Sequence, residues 1–125
     1  MIFQKKLCRN FCILDAKKEI FITDWFLSPK IQLIRSKNND LSQQFQLINM
    51  LREKAELGVK IYIQIFGPPE MSGLGLSAAD CSEKFNNLVE NENIKCMTHM
   101  SGLENSKAWS HHEKLCIIDQ SIAFV

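Results

Sequence analysis

The sequence lacks the features of several protein classes. It contains no run of about 20 apolar residues, the length that a membrane-spanning helix requires. Its first residues, MIFQKK, show no apolar segment followed by a small-residue cleavage site, so they do not resemble a signal peptide. Neither sign of charge is in excess: the net charge is +1, whereas nucleic-acid-binding domains normally have a strongly basic face. We therefore expect a cytoplasmic protein that does not bind nucleic acid.

Familiar metal and cofactor motifs are also missing. The five cysteines are odd in number and include no CxxC pair, which disfavours a disulfide framework or a zinc ribbon. The sequence has no GxxxxGK[ST] phosphate loop and no HExxH pair. His99, His111 and His112 are not accompanied by carboxylate or thiolate ligands at paired spacing. The sequence therefore predicts neither a metal nor a cofactor.

What is present is typical of one soluble α/β domain. The chain has 125 residues, of which 46% are hydrophobic and 23% charged. Apolar periodicity predicts alternating helices and strands, and hence a layered sheet flanked by helices. The predicted helices cover about residues 2–18, 40–57 and 78–91, and the predicted strands cover 19–27, 59–65, 94–98, 114–119 and 121–125.

Three residues stand out within these elements. Gly58 is expected to end the second helix, because glycine tolerates the left-handed backbone found there. Asp24 is anomalous in an apolar strand, since a carboxylate there needs a partner or a place at the end of the strand. Val125 terminates an apolar run without a cap or polar tail, so we expect the chain to be a single, partial unit over residues 1–125, truncated at its C-terminus.

One pattern carries chemistry: His112, Lys114 and Asp119 form H-x-K-x-x-x-x-D. Residues two apart on a strand project to the same face, so the imidazole and the ammonium are expected side by side. A neutral imidazole, with an ordinary pKa of about 6.5, is a competent nucleophile near pH 7. The ammonium can offset charge that builds on a phosphoryl group. Attack on a phosphodiester suits this pair. Strict alternation puts Asp119 on the opposite face of the strand, so either a bulge intervenes or Asp119 acts indirectly through other residues, and we favour the indirect role.

Three segments of the sequence resemble eukaryotic phosphatidylcholine-hydrolysing phospholipase D. Residues 108–125, AWSHHEKLCIIDQSIAFV, are similar to the first catalytic motif of that family. Residues 16–29, AKKEIFITDWFLSP, and 57–63, LGVKIYI, are similar to its upstream strands and occur in the same order. On this resemblance His112, Lys114 and Asp119 match the histidine, lysine and aspartate of the family motif.

The resemblance implies a fold of two similar α/β halves that share one active site, with one motif from each half. One histidine would become a phosphohistidine and the other would protonate the leaving alcohol, giving phosphatidic acid and choline without a metal. The implied substrate is a phospholipid at a membrane surface, reached by peripheral association. Only one motif occurs in this sequence, so the second half-site must come from a C-terminal region or from another chain.

Two alternatives stay open beside this interpretation. A homodimer could complete the site and act on another phosphodiester, as a phosphodiesterase or nuclease of the same superfamily. The chain could also be a truncated, non-catalytic fragment.

Overall fold

The computed structural model describes residues 12–34, 43–66, 78–99 and 113–125. Within these ranges the chain forms three helices and five strands. The helices are α1 (Cys12–Asp15), α2 (Leu47–Glu56) and α3 (Ala78–Asn86). The strands are β1 (Glu19–Asp24), β2 (Lys60–Phe66), β3 (Ile94–His99), β4 (Leu115–Ile118) and β5 (Ile122–Phe124).

The five strands form one mixed sheet in the order β3-β2-β1-β4-β5. β1, β2 and β3 are parallel to one another, whereas β4 is antiparallel to β1 and to β5. The carboxyl ends of the three parallel strands therefore lie at the same edge of the sheet as the beginning of β4. This architecture confirms the predicted α/β layered fold.

One face of the sheet forms the core. Its side chains come from alternate positions of the strands, and the central isoleucines Ile20, Ile22, Ile61 and Ile63 are almost completely buried. α3 packs on β2 and β3 and contributes the fully buried Phe85, while α2 packs on β2 and α1. Burying each such side chain stabilises the fold by about 1.5–3 kcal/mol.

The other face of the sheet is more open. It carries a stacked aromatic pair from neighbouring strands, Phe21 and Tyr62, with ring centroids 5.0 Å apart. Tyr62 and Met97 are both exposed on this face. Residues 60–65 of β2 alternate between the two faces, as the apolar–polar period of two in the sequence predicts, and Phe66 at the end of the strand is also buried.

The boundary between α2 and β2 confirms the expected role of Gly58. Its φ is 91°, and its N–H donates to the Ala55 carbonyl, while the Val59 N–H donates to the Lys54 carbonyl. This pair of hydrogen bonds is a Schellman motif, in which glycine supplies the left-handed residue. The chain then enters β2 directly.

The second predicted helix is interrupted in the structure. The expected capping residues, Asn39 and Asp40, lie outside the described residues, and α2 begins only at Leu47. The residue before it, Gln46, forms an isolated β-bridge with Gln32. The backbone N–H of Leu33 also donates to the Phe45 carbonyl. Gln43 and Gln44 are helical, but these tertiary hydrogen bonds interrupt the helix at Phe45 and Gln46, so the prediction of one continuous helix was wrong.

Two other predicted elements are too long. The described part of the first helix ends at Asp15, where the Lys54 ammonium donates to the Ala16 carbonyl at 3.2 Å. α3 ends at Asn86, because the Asn86 side chain accepts the Cys96 N–H at 2.7 Å and donates to the Cys96 carbonyl at 2.9 Å. In both cases a side chain meets backbone groups of another element, which local periodicity does not reveal.

The final two strands form a tight hairpin at the predicted polar step. Asp119 and Gln120 have φ angles of 51° and 52°, and the Ser121 N–H donates to the Ile118 carbonyl at 3.0 Å. Two successive left-handed residues of this kind make a type I′ turn, whose twist matches that of antiparallel strands.

Among the helices of the described ranges, none has the length and apolar character needed to cross a bilayer.

Candidate active site

The residues of the H-x-K-x-x-x-x-D pattern lie at two different places. His112 is outside the described residues, so its side chain is not placed here. Lys114 immediately precedes β4, and Asp119 immediately follows it. Since a strand rises about 3.3 Å per residue, these two residues are about 16 Å apart along the chain.

Lys114 lies at the carboxyl edge of the parallel strands, beside the last residue of β1. Thr23 pairs with Leu115 in the antiparallel register, so the next pair outward is Asp24 with Lys114. The Lys114 Nζ is 3.9 Å from the Asp24 Oδ1. This separation is short enough for charge attraction, although it is longer than a direct hydrogen bond. In open α/β sheets, ligands bind at this edge.

Asp24 has both of the features that a carboxylate in an apolar strand was expected to need, a place at the strand end and a partner. It occupies the end of β1 rather than its middle, and it has a cationic partner in Lys114. Its side chain is 3% exposed, whereas that of Lys114 is 42% exposed. The carboxylate is therefore enclosed by protein, whereas part of the Lys114 side chain is in contact with solvent. The charge of Asp24 in an apolar strand marked it as unusual in the sequence, but no role could be predicted for it there.

The end of β1 is set by the same carboxylate. The Phe26 N–H donates to the Asp24 Oδ1 at 3.3 Å, and the chain bends at residues 25–26 instead of continuing to Leu27 as predicted. An aspartate that accepts from a backbone N–H two residues later favours a turn over a continuing strand. The predicted strand end at Leu27 was therefore wrong for a reason that concerns the site.

Burial dominates the electrostatics of Asp24. It raises the pKa of this carboxyl group above its ordinary value, because a charged form loses hydration in the interior. The Phe26 N–H and the Lys114 ammonium act in the opposite direction and favour the carboxylate, but they do not cancel the effect of burial. Asp24 is thus an acid whose ionisation is costly and depends on Lys114.

Asp119 is bound at the other end of β4. Its Oδ1 accepts the backbone N–H groups of Lys18 and Glu19 at 2.8 and 3.0 Å, and its Oδ2 accepts that of Lys17 at 2.9 Å. The bond from Glu19 is the largest of the effects that lower the pKa of this carboxyl group, and those from Lys17 and Lys18 add to it. The carboxylate ties the start of β1 to the β4–β5 turn.

A small cavity lies next to Asp24 but does not suit a phosphoryl group. Its volume is about 10 Å³, which holds about one water molecule. Strand alternation places Thr23 and Gln64 on the open face of the sheet, opposite to the face shared by Asp24 and Lys114. The residues that line it are Thr23, Asp24, Gln64, Phe66, His99 and Glu113.

The three histidines were also considered as metal ligands in the sequence analysis. His99 ends β3 and lines the small cavity, while His111 and His112 are outside the described residues. In the part of the chain that the structure describes, no group of three histidine, cysteine, aspartate or glutamate side chains is arranged to hold a metal ion.

Cys81 of α3 and Cys96 of β3 are buried in the core. Burial and the neighbouring Cys96 raise the pKa of the Cys81 thiol to about 12, and burial raises that of Cys96 to about 11. The Cys81 Sγ donates to the Leu27 carbonyl at 3.0 Å. Both thiols are protonated at neutral pH and take the part of small core residues.

Comparison with known proteins gives one family. The family model described as phospholipase D matches residues 12–124. The chain is 41% identical over 112 residues to phospholipase D1 of Mus musculus and 40% identical over 113 residues to phospholipase D2 of Bos taurus. It is 40% identical over 111 residues to phospholipase D A of Dictyostelium discoideum.

The matches cover most of this chain but only a small part of each relative. They cover 89%, 90% and 89% of this chain, but 10%, 11% and 8% of the respective relatives. The chain therefore spans about a tenth of the length of the curated relatives it matches. The matched part contains the edge of the sheet where Lys114 meets Asp24.

Proposed function

Because this chain belongs to the phospholipase D family, we propose that it supplies one half-site of a phosphodiesterase that hydrolyses phosphatidylcholine to phosphatidic acid and choline. One observation carries the proposal: Lys114, two residues after His112, presents a partly exposed ammonium at the ligand-binding edge of the sheet. The second half-site comes from a further part of a longer chain or from another chain.

In the proposed reaction, His112 fills one of two roles. The nucleophilic histidine forms an N–P bond with the lipid phosphorus, and the bond from phosphorus to the choline oxygen breaks. The other histidine gives its proton to that oxygen, so choline leaves as an alcohol. This second histidine then takes a proton from a water molecule. The water oxygen attacks phosphorus, the N–P bond to the nucleophilic histidine breaks, and phosphatidic acid is released.

The two other motif residues have distinct parts in this proposal. Lys114 faces the negative charge that develops on the phosphoryl oxygens and lowers the energy of the transition state. Asp119 acts at a distance, because its three backbone hydrogen bonds fix the strand that carries Lys114. The substrate requires peripheral contact with a membrane surface, and no nucleic acid or metal takes part.

Choline release from phosphatidylcholine vesicles tests the proposal. The assay uses a parent chain that joins this segment to a second H-x-K-x-x-x-x-D motif. We expect Lys114→Met to lower kcat by about 10²–10³-fold, as loss of a preorganised charge does, and His112→Asn to abolish turnover. The exposed Lys95→Met is the matched control and should leave choline release unchanged. Retention of most of the activity by His112→Asn would overturn the assignment.

The 125-residue chain by itself decides between the two sources of the second half-site. Light scattering measures whether it is a monomer or a dimer, and the same vesicles measure its choline release. A dimeric chain that releases choline obtains both half-sites from two copies. A monomeric, inactive chain obtains the second half-site from a longer polypeptide.

A further inference from the structure

We propose that Asp24 is a positioning residue for Lys114: its enclosed carboxylate holds the ammonium at the edge of the sheet where a phosphoryl group is bound. This inference rests on the proposed function for the identity of the ligand. The interaction between the Asp24 carboxylate and the Lys114 ammonium, the charge pair, can be measured without any ligand. Neither the H-x-K-x-x-x-x-D pattern nor its spacing includes Asp24.

The first argument is the contrast in mobility between the two groups. Asp24 belongs to β1, which is paired on both sides, with β2 and with β4, and its side chain is almost completely enclosed. Lys114 precedes β4 and has a long side chain that is partly in solvent. A lysine ammonium on a flexible stem has many accessible positions. A fixed anion 3.9 Å away restricts it to a few.

The second argument is that stability does not account for the carboxylate. Asp24 continues the inward-facing row of Ile20 and Ile22, where an apolar residue would pack without losing hydration. Burial raises the pKa of Asp24 even though the Phe26 N–H and the Lys114 ammonium favour its charged form, so these two partners do not offset the lost hydration. A costly charge at the ligand-binding edge of a sheet is typical of a functional site.

The third argument is geometric. The Lys114 Nζ is 3.9 Å from the Asp24 carboxylate, and 42% of the Lys114 side chain is still exposed to solvent. A phosphoryl group that approaches from solvent thus meets an ammonium already directed by an anion behind it. Two further titratable groups, His99 of β3 and Glu113 of the segment before β4, line the small cavity at the same edge together with Asp24.

Nuclear magnetic resonance on the 125-residue chain tests the pair directly. The Asp24 carboxyl carbon is titrated with pH in the parent sequence, in Lys114→Met and in Lys114→Arg. We expect the midpoint to rise by about half a pH unit or more in Lys114→Met, because a neighbouring cation favours the carboxylate. Lys114→Arg should return the midpoint toward that of the parent sequence.

The matched control is Lys95→Met. Lys95 forms an ion pair with Glu92 at 3.0 Å, but both side chains are exposed and belong to β3 and the residues before it. The Asp24 midpoint should not change in this variant. Equal midpoints in the parent sequence and in Lys114→Met would overturn the proposal. The same titration of the parent sequence also gives the chemical shift of the Lys114 Cε. If this shift does not change as Asp24 ionises, the proposal is overturned without any variant.

Kinetics separate positioning from a merely structural role. In the parent chain with both motifs, Asp24→Asn should lower kcat about tenfold or more, because a displaced catalytic group loses its alignment. The KM for phosphatidylcholine should stay within about twofold, since no group that binds the lipid is removed. Asp15→Asn removes an exposed carboxylate from α1 and should change neither constant. An unchanged kcat in a folded Asp24→Asn would overturn the proposal.

The two proposals fail in different ways. A parent chain that hydrolyses no phosphodiester, with a Lys114-dependent Asp24 titration, contradicts the proposed function and supports the charge pair. Choline release that requires Lys114, with an Asp24 titration independent of it, contradicts the charge pair and supports the proposed function.

Discussion

The Lys114 ammonium and the Asp119 carboxylate lie at opposite ends of the same strand, although both belong to one eight-residue pattern. Lys114 is at the edge where the parallel strands end, beside Asp24. Asp119 is at the edge where β1 begins and is bound by three backbone N–H groups. The pattern therefore joins the partly exposed Lys114 to a carboxylate that binds backbone N–H groups, and the four residues of β4 fix the distance between them.

We predict that Asp119→Asn lowers the free energy of unfolding by about 1–2 kcal/mol at pH 7, because charge-assisted bonds to backbone N–H groups are lost. Asparagine tolerates the left-handed φ of 51°, so the variant isolates the carboxylate. Chemical denaturation measures the change.

The pH dependence of this variant has a definite sign. The folded pKa of Asp119 is lowered, so its contribution is complete above the unfolded value of about 3.9 and is lost as pH falls through the folded value. The difference between Asp119→Asn and the parent sequence should therefore shrink in acid. A difference that is constant from pH 7 to pH 3 would contradict the role of the carboxylate.

Asp24→Asn should show the opposite dependence. The folded pKa of Asp24 is raised, so the carboxyl group favours the folded state in acid and loses that contribution as pH rises from about 3.9 through the folded value. The Tm of Asp24→Asn relative to the parent sequence should become more favourable from pH 3 to pH 7. Thermal melts across this range measure it, and an increasingly unfavourable relative Tm at higher pH would refute the effect of burial.

Gly58→Ala should destabilise the fold by about 1 kcal/mol, because an L side chain opposes the left-handed backbone. No atom lies within 4 Å of an added Cβ, so the cost comes from the φ of 91° and not from a clash. Gly58→Asn should cost less, since asparagine is the next most common residue at this position of a helix end. Urea denaturation of both variants measures the difference, and equal losses would contradict a purely conformational cause.

Cys81 and Cys96 should resist alkylation at pH 8 in the folded chain. Burial raises their pKa values to about 12 and about 11, which leaves little of the reactive thiolate. Iodoacetamide treatment followed by peptide mass spectrometry should find both residues modified only after unfolding in urea. Rapid modification of either residue under native conditions would show that α3 opens away from β3.

The sequence alone determined those features that depend on neighbours along the chain. The period of two in β2, the glycine that ends α2 and the polar step between β4 and β5 each follow from residues a few positions apart. The α/β order and the spacing of His112 and Lys114 are features of the same kind. Local backbone preference and side-chain periodicity are sufficient for them.

The tertiary structure alone decided which distant residues meet. The antiparallel register of β1 and β4 places Asp24 beside Lys114. It also places the Asp119 carboxylate beside the backbone N–H groups of residues 17–19. Tertiary contacts also ended the predicted strand at Asp24 and interrupted the predicted second helix just before Leu47. Strand pairing is set by burial of the isoleucine face as a whole, and hydrogen bonds between distant segments then override local propensity, so no short stretch of sequence contains this information.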